Sequence, residues 1–139
     1  MNEYNLAFTY SSYKLIDEND NHLGEFTTRK IITYDSMLKT CSVGCLTAIY
    51  DTKKLGKIYM VNVAHEDYTL WLKILKKVDY AMGIMEPLAS YRILQNSVSR
   101  NKIKSAVWQW KIYREVENLN LLKSFYYFVC YALNSINKY

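Results

Sequence analysis

The chain has 139 residues, of which 50% are hydrophobic and 22% charged, a composition typical of a globular domain and not of a disordered segment. Its formal net charge is +5, and its three cysteines lack the nearby histidine that would complete a metal site, so we expect buried thiols in a reducing compartment. The longest uncharged apolar run, residues 125–133, is shorter than the ~20 residues that a membrane-spanning helix needs.

The N-terminal part of the chain favours β structure. Residues 6–16 are rich in aromatic and β-favouring side chains and predict a strand, whereas the polar residues 17–21 predict a turn. Residues 25–28 then supply the second strand, and the pattern as a whole predicts a hairpin.

A short helix and a further strand are expected next. Residues 34–40 predict a helix with Thr33 or Asp35 as its N-cap. Residues 42–50 return to a strand pattern that contains Gly44, which indicates a close approach of another group to the backbone.

The most regular apolar periodicity of the chain begins at Asp67. Apolar residues follow at i+4, i+7, i+8 and i+11, which are Trp71, Ile74, Leu75 and Val78. This spacing predicts a helix with one buried face.

The C-terminal part combines strand and helix signals. Residues 80–84 predict a buried strand, and residues 88–94 continue extended beyond a proline. Residues 95–102 are polar and turn-like, and residues 103–117 and 119–137 predict two helices.

The adjacent acids Glu66 and Asp67 at the start of the periodic helix admit two interpretations. Carboxylates at a helix start commonly cap free backbone N–H groups, which is the simpler interpretation. Asp67, however, lies on the same face of the predicted helix as Trp71 and Ile74. An inward-facing carboxylate is more typical of a functional site. No other candidate metal ligand stands at a suitable spacing from His65, so we expect this histidine to be a hydrogen-bonded turn residue.

A second cluster of polar side chains follows the last predicted strand. Its members are Tyr91, Arg92, Ser97, Ser99, Arg100 and Lys102. A guanidinium, hydroxyls and an ammonium in one loop suit a diphosphate, although an ordinary solvated loop has the same composition.

The net positive charge of the chain comes entirely from its C-terminal part. Residues 1–99 contain 11 basic and 11 acidic side chains, whereas residues 100–139 contain seven basic and two acidic ones. Basic, aromatic helices over residues 103–138 are consistent with three interpretations: they bind a membrane surface, they close the chain's own core, or they form a homodimer contact. A non-catalytic peripheral membrane or protein-interaction module is therefore the alternative function. No nucleic-acid-binding motif is present, and we expect no nucleic acid partner.

Four segments in register resemble the second half of a family 2 glycosyltransferase of the bacterial surface-polysaccharide type. They are FTYSSYKLIDENDNHLG, VGCLTAIYD, AHEDYTLWLKILKK and AMGIMEPLASYRILQNSVSRNK. The resemblance covers nearly all of residues 6–115. It implies an α/β fold, with a mixed sheet and flanking helices, that is part of the GT-A nucleotide-diphospho-sugar transferase fold.

The resemblance also implies roles for individual residues. Asp67 matches the general base that takes the proton from the acceptor hydroxyl, and Glu66 matches an acceptor-positioning residue. The expected diphosphate-side residues are Arg92, Ser97, Ser99 and Lys102, and the expected supporting residues are His65, Trp71 and Tyr91.

One part of the family pattern is missing from this sequence. The family's first half supplies an Asp-x-Asp motif that holds Mg²⁺ or Mn²⁺, and the acids of residues 17–20 have a different spacing. We therefore expect residues 1–102 to be an acceptor-side half and residues 103–139 a helical extension. The complete enzyme would take a nucleotide-sugar donor and a saccharide or lipid-linked acceptor, and we expect the isolated chain, which has no metal site of its own, to be inactive.

The expected location is the cytoplasm. The sequence begins without a basic leader followed by an apolar segment. A peripheral position on the inner face of the cell membrane is expected if the C-terminal helices contact lipid.

Overall fold

The computed structural model describes residue 1, residues 4–94 and residues 102–136. The strands are β1 Phe8–Ile16, β2 His22–Phe26, β3 Ile31–Ile32, β4 Ile49–Tyr50 and β5 Ala81–Arg92. The helices are α1 Tyr34–Lys39, α2 Thr52–Leu55, α3 Glu66–Leu75, α4 Lys102–Lys111 and α5 Leu121–Ile136. A 3₁₀ segment covers Cys45–Thr47, and a π-helical segment covers Ile112–Val116.

The strands form one mixed sheet in the order β2-β1-β5-β3. β1 pairs antiparallel with β2 and, nearer its start, with β4. β5 runs parallel to β1 on the other side, and β3 adds a short antiparallel strand to β5. The predicted α/β class, with a mixed sheet and flanking helices, is confirmed.

The predicted hairpin is confirmed, and its turn is organised by a carboxylate. Asp17 Oδ1 accepts hydrogen bonds from the backbone N–H groups of Asn19 and Asn21, each at 2.8 Å. These bonds, above all those with Asn21, hold the pKa of the Asp17 carboxyl below its usual value. An aspartate that binds the backbone two residues ahead is a typical turn former, so the local sequence determines this element.

The predicted strand over residues 42–50 is wrong except at its end. Only Ile49–Tyr50 pairs as a strand, because Cys45–Thr47 before it forms the 3₁₀ segment. Thr47 Oγ1 anchors that segment by donating to the carbonyls of Ser11 and Gly44 at 3.1 and 3.2 Å. The expected close approach at Gly44 is confirmed, since an added Cβ there would lie 2.5 Å from Tyr13 Cε1.

The hydrophobic core lies between the sheet and the helices α1 and α3, and it extends into the π-helical segment. Its centre is built from Phe8 on β1, Leu38 on α1, Leu72 on α3 and Tyr113. Tyr68 and Tyr113 donate their hydroxyls to α1, at the carbonyls of Met37 and Leu38. Burial raises the pKa of both phenols, so they remain neutral donors.

Both predicted C-terminal helices are present, but the first changes its winding. α4 ends at Lys111, and the π-helical segment then places Ile112 and Tyr113 in the core. α5 follows along α1 and leaves most of its apolar side chains exposed. Within the part of the chain that the structure describes, no helix is long and apolar enough to cross a membrane.

Candidate functional site

The acid pair lies where α3 begins, at a point of unusual backbone conformation. His65 precedes the helix with φ 58° and ψ 49°, a left-handed conformation that a non-glycine residue adopts at some cost. The turn directs Glu66 and Asp67 into the first helical turn, as predicted. The Glu66 carbonyl accepts a hydrogen bond from Thr69 Oγ1 at 2.9 Å, which fixes the first turn.

The two carboxylates have different surroundings. Asp67 is half-buried, and its Oδ1 accepts the N–H of Tyr68 at 2.8 Å. Among the described residues, Asp67 Oδ2 has no hydrogen-bond partner, so one oxygen acts on the helix backbone while the other is available to a ligand. Glu66 is exposed.

The start of the 3₁₀ segment lies near the acids. Burial raises the pKa of the Cys45 thiol, and the negative charges of Asp67 and Glu66 raise it further. Both carboxylates therefore lie close enough to Cys45 to act on it electrostatically. The expectation that the cysteines are buried is wrong here: Cys45 is exposed, because the segment it starts lies over the sheet and not within the core.

An open cavity of about 310 Å³ adjoins the start of α3. Among the described residues, Glu66 is the only ionisable one in its lining, and the rest of the wall is Met60, Val61, Asn62 and Val63. The volume is at the lower end of ligand-binding pockets. The structure thus places Glu66, and not Asp67, on the cavity wall.

The two aromatic neighbours of the acids belong to the packing of α3. Trp71 is buried and stacks on Phe8 with ring centroids 5.4 Å apart. Its indole Nε1 is buried without a hydrogen-bond partner among the described residues. The His65 ring meets Trp108 of α4 edge to face at 5.2 Å, which links the turn before α3 to the C-terminal helices.

The expected diphosphate-side residues are placed only in part. Arg92 Nη1 donates to the Asp17 carbonyl at 2.8 Å and Nη2 to Asp20 Oδ1 at 2.7 Å, so the guanidinium is held by the β1–β2 turn. Ser97 and Ser99 lie outside the described residues, and so does the side chain of Lys102. The structure therefore does not show these four residues as one cluster.

Tyr13 connects the two candidate regions, and sequence reasoning missed it. Its ring lies 5.9 Å from that of exposed Tyr91 and makes the close contact at Gly44, next to Cys45. Tyr13 also stacks on Phe26 at 4.8 Å. The only signal in the sequence was the glycine, which marked a close approach without naming its partner.

The described residues do not fit a divalent metal ion. Within residues 4–94 and 102–136, no group of three or more His, Cys, Asp or Glu side chains could hold one. Asp17 and Asp20, the nearest approach to an acidic motif, are occupied by the turn and by Arg92.

Comparison with known proteins shows that the sequence is similar to parts of named glycosyltransferases. No protein-family model matches the chain. It is 39% identical over 140 residues to a Bacillus subtilis protein named "Putative teichuronic acid biosynthesis glycosyltransferase TuaG". It is 34% identical over 140 residues to an uncharacterized glycosyltransferase of Haemophilus influenzae. It is 35% identical over 136 residues to the Escherichia coli UDP-Glc:alpha-D-GlcNAc-diphosphoundecaprenol beta-1,3-glucosyltransferase WfgD.

The matches cover nearly all of this chain but only part of each relative. They take in 97 to 100% of this chain but 53 to 56% of the three relatives. The chain spans about half the length of the curated relatives it matches. Over essentially its whole length, it is therefore similar to about half of a bacterial glycosyltransferase.

Proposed function

We propose that residues 1–102 are the acceptor-side half of a family 2 glycosyltransferase with a GT-A fold, and that residues 103–139 are its basic, aromatic helical extension. The acid pair at the start of α3 carries this proposal. Asp67 keeps one carboxylate oxygen unbonded among the described residues, and Glu66 lines an open cavity beside it. The similarity to glycosyltransferases supports the same assignment and favours it over a non-catalytic interaction module.

Asp67 is proposed as the general base. A sugar hydroxyl is a weak nucleophile, and a positioned carboxylate accelerates its attack by accepting the proton as the new bond forms. The acceptor oxygen bonds to the anomeric carbon of the donor while the bond from that carbon to the nucleoside diphosphate breaks. The bond from Tyr68 N–H holds one oxygen of Asp67, which orients the other for the proton.

Glu66 is proposed to position the acceptor. Its carboxylate lines the cavity of about 310 Å³ and can accept hydrogen bonds from hydroxyls of a sugar placed there. Trp71 and His65 act indirectly, through packing that fixes the first turn of α3.

The donor is proposed to be a nucleotide sugar. Its diphosphate would lie near four residues, Arg92, Ser97, Ser99 and Lys102, with Tyr91 in support. Arg92 would exchange part of its contact with the β1–β2 turn for that role. A Mg²⁺ or Mn²⁺ ion of the complete enzyme would neutralise the leaving diphosphate. Its ligands are not among the described residues, so we expect the isolated chain to be inactive.

The acceptor is proposed to be a saccharide or lipid-linked saccharide used in cell-surface polysaccharide synthesis. WfgD is named for a diphosphoundecaprenol-linked acceptor and a UDP-Glc donor. The corresponding location of this chain is the cytoplasm, with access to the inner face of the membrane.

The function can be tested in a chimera in which this chain replaces the matching part of WfgD. We expect glucosyl transfer from UDP-Glc to a GlcNAc-diphosphate lipid with Mg²⁺ or Mn²⁺ present. Asp67→Asn should lower kcat by about a hundredfold or more, since it removes the base but keeps the shape. The matched control is Asp79→Asn, a change at an exposed acid beyond α3, which should retain activity.

Two results would contradict the proposal. One is a folded chimera whose Asp67→Asn variant transfers sugar as fast as its parent. The other is turnover of any nucleotide sugar by the isolated chain with metal added.

The C-terminal helices are proposed to bring the enzyme to the membrane surface. An exposed apolar stripe on α5 contains Leu122, Phe125, Val129 and Leu133. It accompanies an apolar groove of about 470 Å³, lined by Ile103, Ala106, Val107, Trp110 and Phe128. Apolar side chains beside a net charge of +5 suit an anionic bilayer.

Vesicle binding tests this placement. Phe125→Glu should abolish co-sedimentation with phosphatidylglycerol vesicles, whereas Leu23→Glu, at an exposed leucine on β2, should not. Dimers that vanish with Phe125→Glu, without vesicle binding by the parent chain, would instead identify the stripe as a homodimer contact.

A further inference from the structure

The two edges of β5 are paired very unequally. On one side, β1 accompanies it from Met82 to Arg92. On the other side, β3 pairs only with Ala81 and Met82, and Gly83 N–H donates to the Lys30 carbonyl at 2.8 Å. From Ile84 onward, none of the described residues forms a strand along this second edge.

The unpaired part of β5 is apolar and exposed. The prediction of a buried strand over residues 80–84 is confirmed for Ala81 but is wrong for Tyr80 and Ile84, which are exposed. The exposed fractions in the unpaired part are 45% for Ile84, 47% for Met85, 58% for Leu88 and 42% for Tyr91. Glu86 is the only charged side chain from Ile84 to Tyr91. Soluble proteins protect long strand edges with charge or with a covering element, because an open edge can pair with another strand.

The opposite edge of the sheet shows that protection. β2 has five residues, and it carries Glu25 and His22, which face each other at 3.9 Å. β5 has twelve residues, and it carries features of the same kind at one point, where Glu86 and Pro87 coincide with two register shifts. On either side of that point Ile84, Met85 and Leu88 remain exposed, which indicates that a further element covers this edge.

We propose that the edge of β5 from Ile84 to Tyr91 receives a β-strand from the part of the glycosyltransferase that this chain does not span. The best-covered relatives leave 44% of their length unmatched, enough for several strands. The added strand would bond to the backbone groups of β5 that no described strand pairs with, and it would cover Ile84, Met85 and Leu88. This inference rests on the proposed function for the identity of the occupant, whereas the open edge is independent of it.

Co-expression of the tagged chain with the unmatched part of the Bacillus subtilis relative tests the proposal. We expect the two to co-purify, and the amide hydrogens of residues 84–91 to exchange at least about tenfold more slowly than in the isolated chain. Leu88→Lys should reduce co-purification about tenfold or more, since it places an unpaired charge in an apolar contact. Leu23→Lys, at a similarly exposed leucine on β2, should change it less than about twofold.

Three outcomes would overturn the proposal. The first is a complex in which the amides of residues 84–91 exchange as fast as before. The second is the absence of a complex when both parts are soluble and the chain shows a cooperative unfolding transition. The third is a dimer of the isolated chain that already protects these amides, because a second copy would then occupy the edge.

The edge and the enzymatic function can fail separately. A complex that protects residues 84–91 but transfers no sugar would support the edge and contradict the proposed activity. A complex that transfers sugar while the amide hydrogens of residues 84–91 still exchange freely would support the proposed activity and contradict the added strand. An unchanged midpoint of urea unfolding for Leu88→Lys shows that its effect is on assembly and not on folding.

Discussion

Helices α3 and α5 are both rich in apolar residues, yet the protein uses them in opposite ways. Seven of the ten residues of α3 are buried, including residues on every side of the helix. In the described part of α5, Ser124 is the one buried residue, while Leu122 and Phe125 are 82% and 63% exposed. Apolar periodicity indicates that each segment is helical, but it does not indicate how much of the helix surface is covered.

The contacts of α5 explain how it is held with so little apolar burial. Tyr127 donates its hydroxyl to Asp35 Oδ1 of α1 at 2.7 Å, and Asn134 Nδ2 donates to the Lys39 carbonyl at 3.4 Å. α3, in contrast, is held by side chains that are fully removed from water, such as Leu72 and Ile74. α3 should therefore contribute more to the folding free energy than α5, because burial contributes more than partly exposed hydrogen bonds.

The largest difference is expected between two leucine-to-alanine substitutions. Leu72→Ala in α3 should lower the free energy of unfolding by about 3 kcal/mol, since it leaves a cavity at a side chain with no exposed surface. Leu122→Ala in α5 should change it by less than about 0.5 kcal/mol. Urea unfolding followed by circular dichroism measures both, and equal losses would contradict the contrast between the helices.

An ion pair with a buried carboxylate tests whether the two regions unfold together. Lys76, at the end of α3, binds Glu117 Oε2 at 2.6 Å, just beyond the π-helical segment, and Tyr34 donates its hydroxyl to the same oxygen. Lys76→Met should cost on the order of 2 kcal/mol, because it leaves a carboxylate that is 1% exposed without its cation. The expected loss is reduced since the Lys76 side chain is itself 45% exposed.

The matched control for the ion pair is Lys77→Met. Lys77 is an exposed neighbour that donates to the Leu55 carbonyl at 3.2 Å, and its loss should cost less than about 0.5 kcal/mol. A Lys76→Met variant that loses the fluorescence transition of Trp110 before that of the rest of the protein would show that the C-terminal helices form a separate unit.

Much of the fold was predictable where neighbouring residues determine it. Thr33 caps α1 by accepting the N–H of Ser36 at 3.3 Å, and the Asp17 turn closes the hairpin within five residues. The segment 42–50 was not predictable as observed, because its 3₁₀ conformation is fixed by contacts with Tyr13 and Ser11 of β1, which are distant in the sequence.

The candidate site shows the same division. The sequence alone placed Glu66 and Asp67 side by side at a helix start, since helix periodicity and acid position are local signals. The left-handed conformation of His65 and the nearness of Cys45 to the acids depend on how separate segments pack. No periodicity encodes such contacts.

The smallest expected effect concerns the hydrogen bond that fixes α5 to α1. Burial, and then the Asp35 carboxylate that accepts its hydroxyl, raise the pKa of Tyr127 to about 12 from the usual 10.0. The hydrogen bonds from Lys39 and Tyr127 lower the pKa of Asp35 in turn. Above pH 10 the unfolded chain loses the tyrosine proton while the folded chain retains it, so the free energy of unfolding falls as the pH rises towards 12.

Tyr127→Phe should therefore have two consequences. It should lower the free energy of unfolding by about 1 kcal/mol at pH 8, where the hydrogen bond is intact. It should also make the decline between pH 10 and 12 shallower, because the substituted residue no longer contributes a raised pKa. Tyr126→Phe, at a neighbour that is 53% exposed, should reproduce the parent curve at every pH. If Tyr127→Phe declines as steeply as the parent, the hydroxyl does not hold α5 to α1, and the comparison of the two helices would then rest on burial alone.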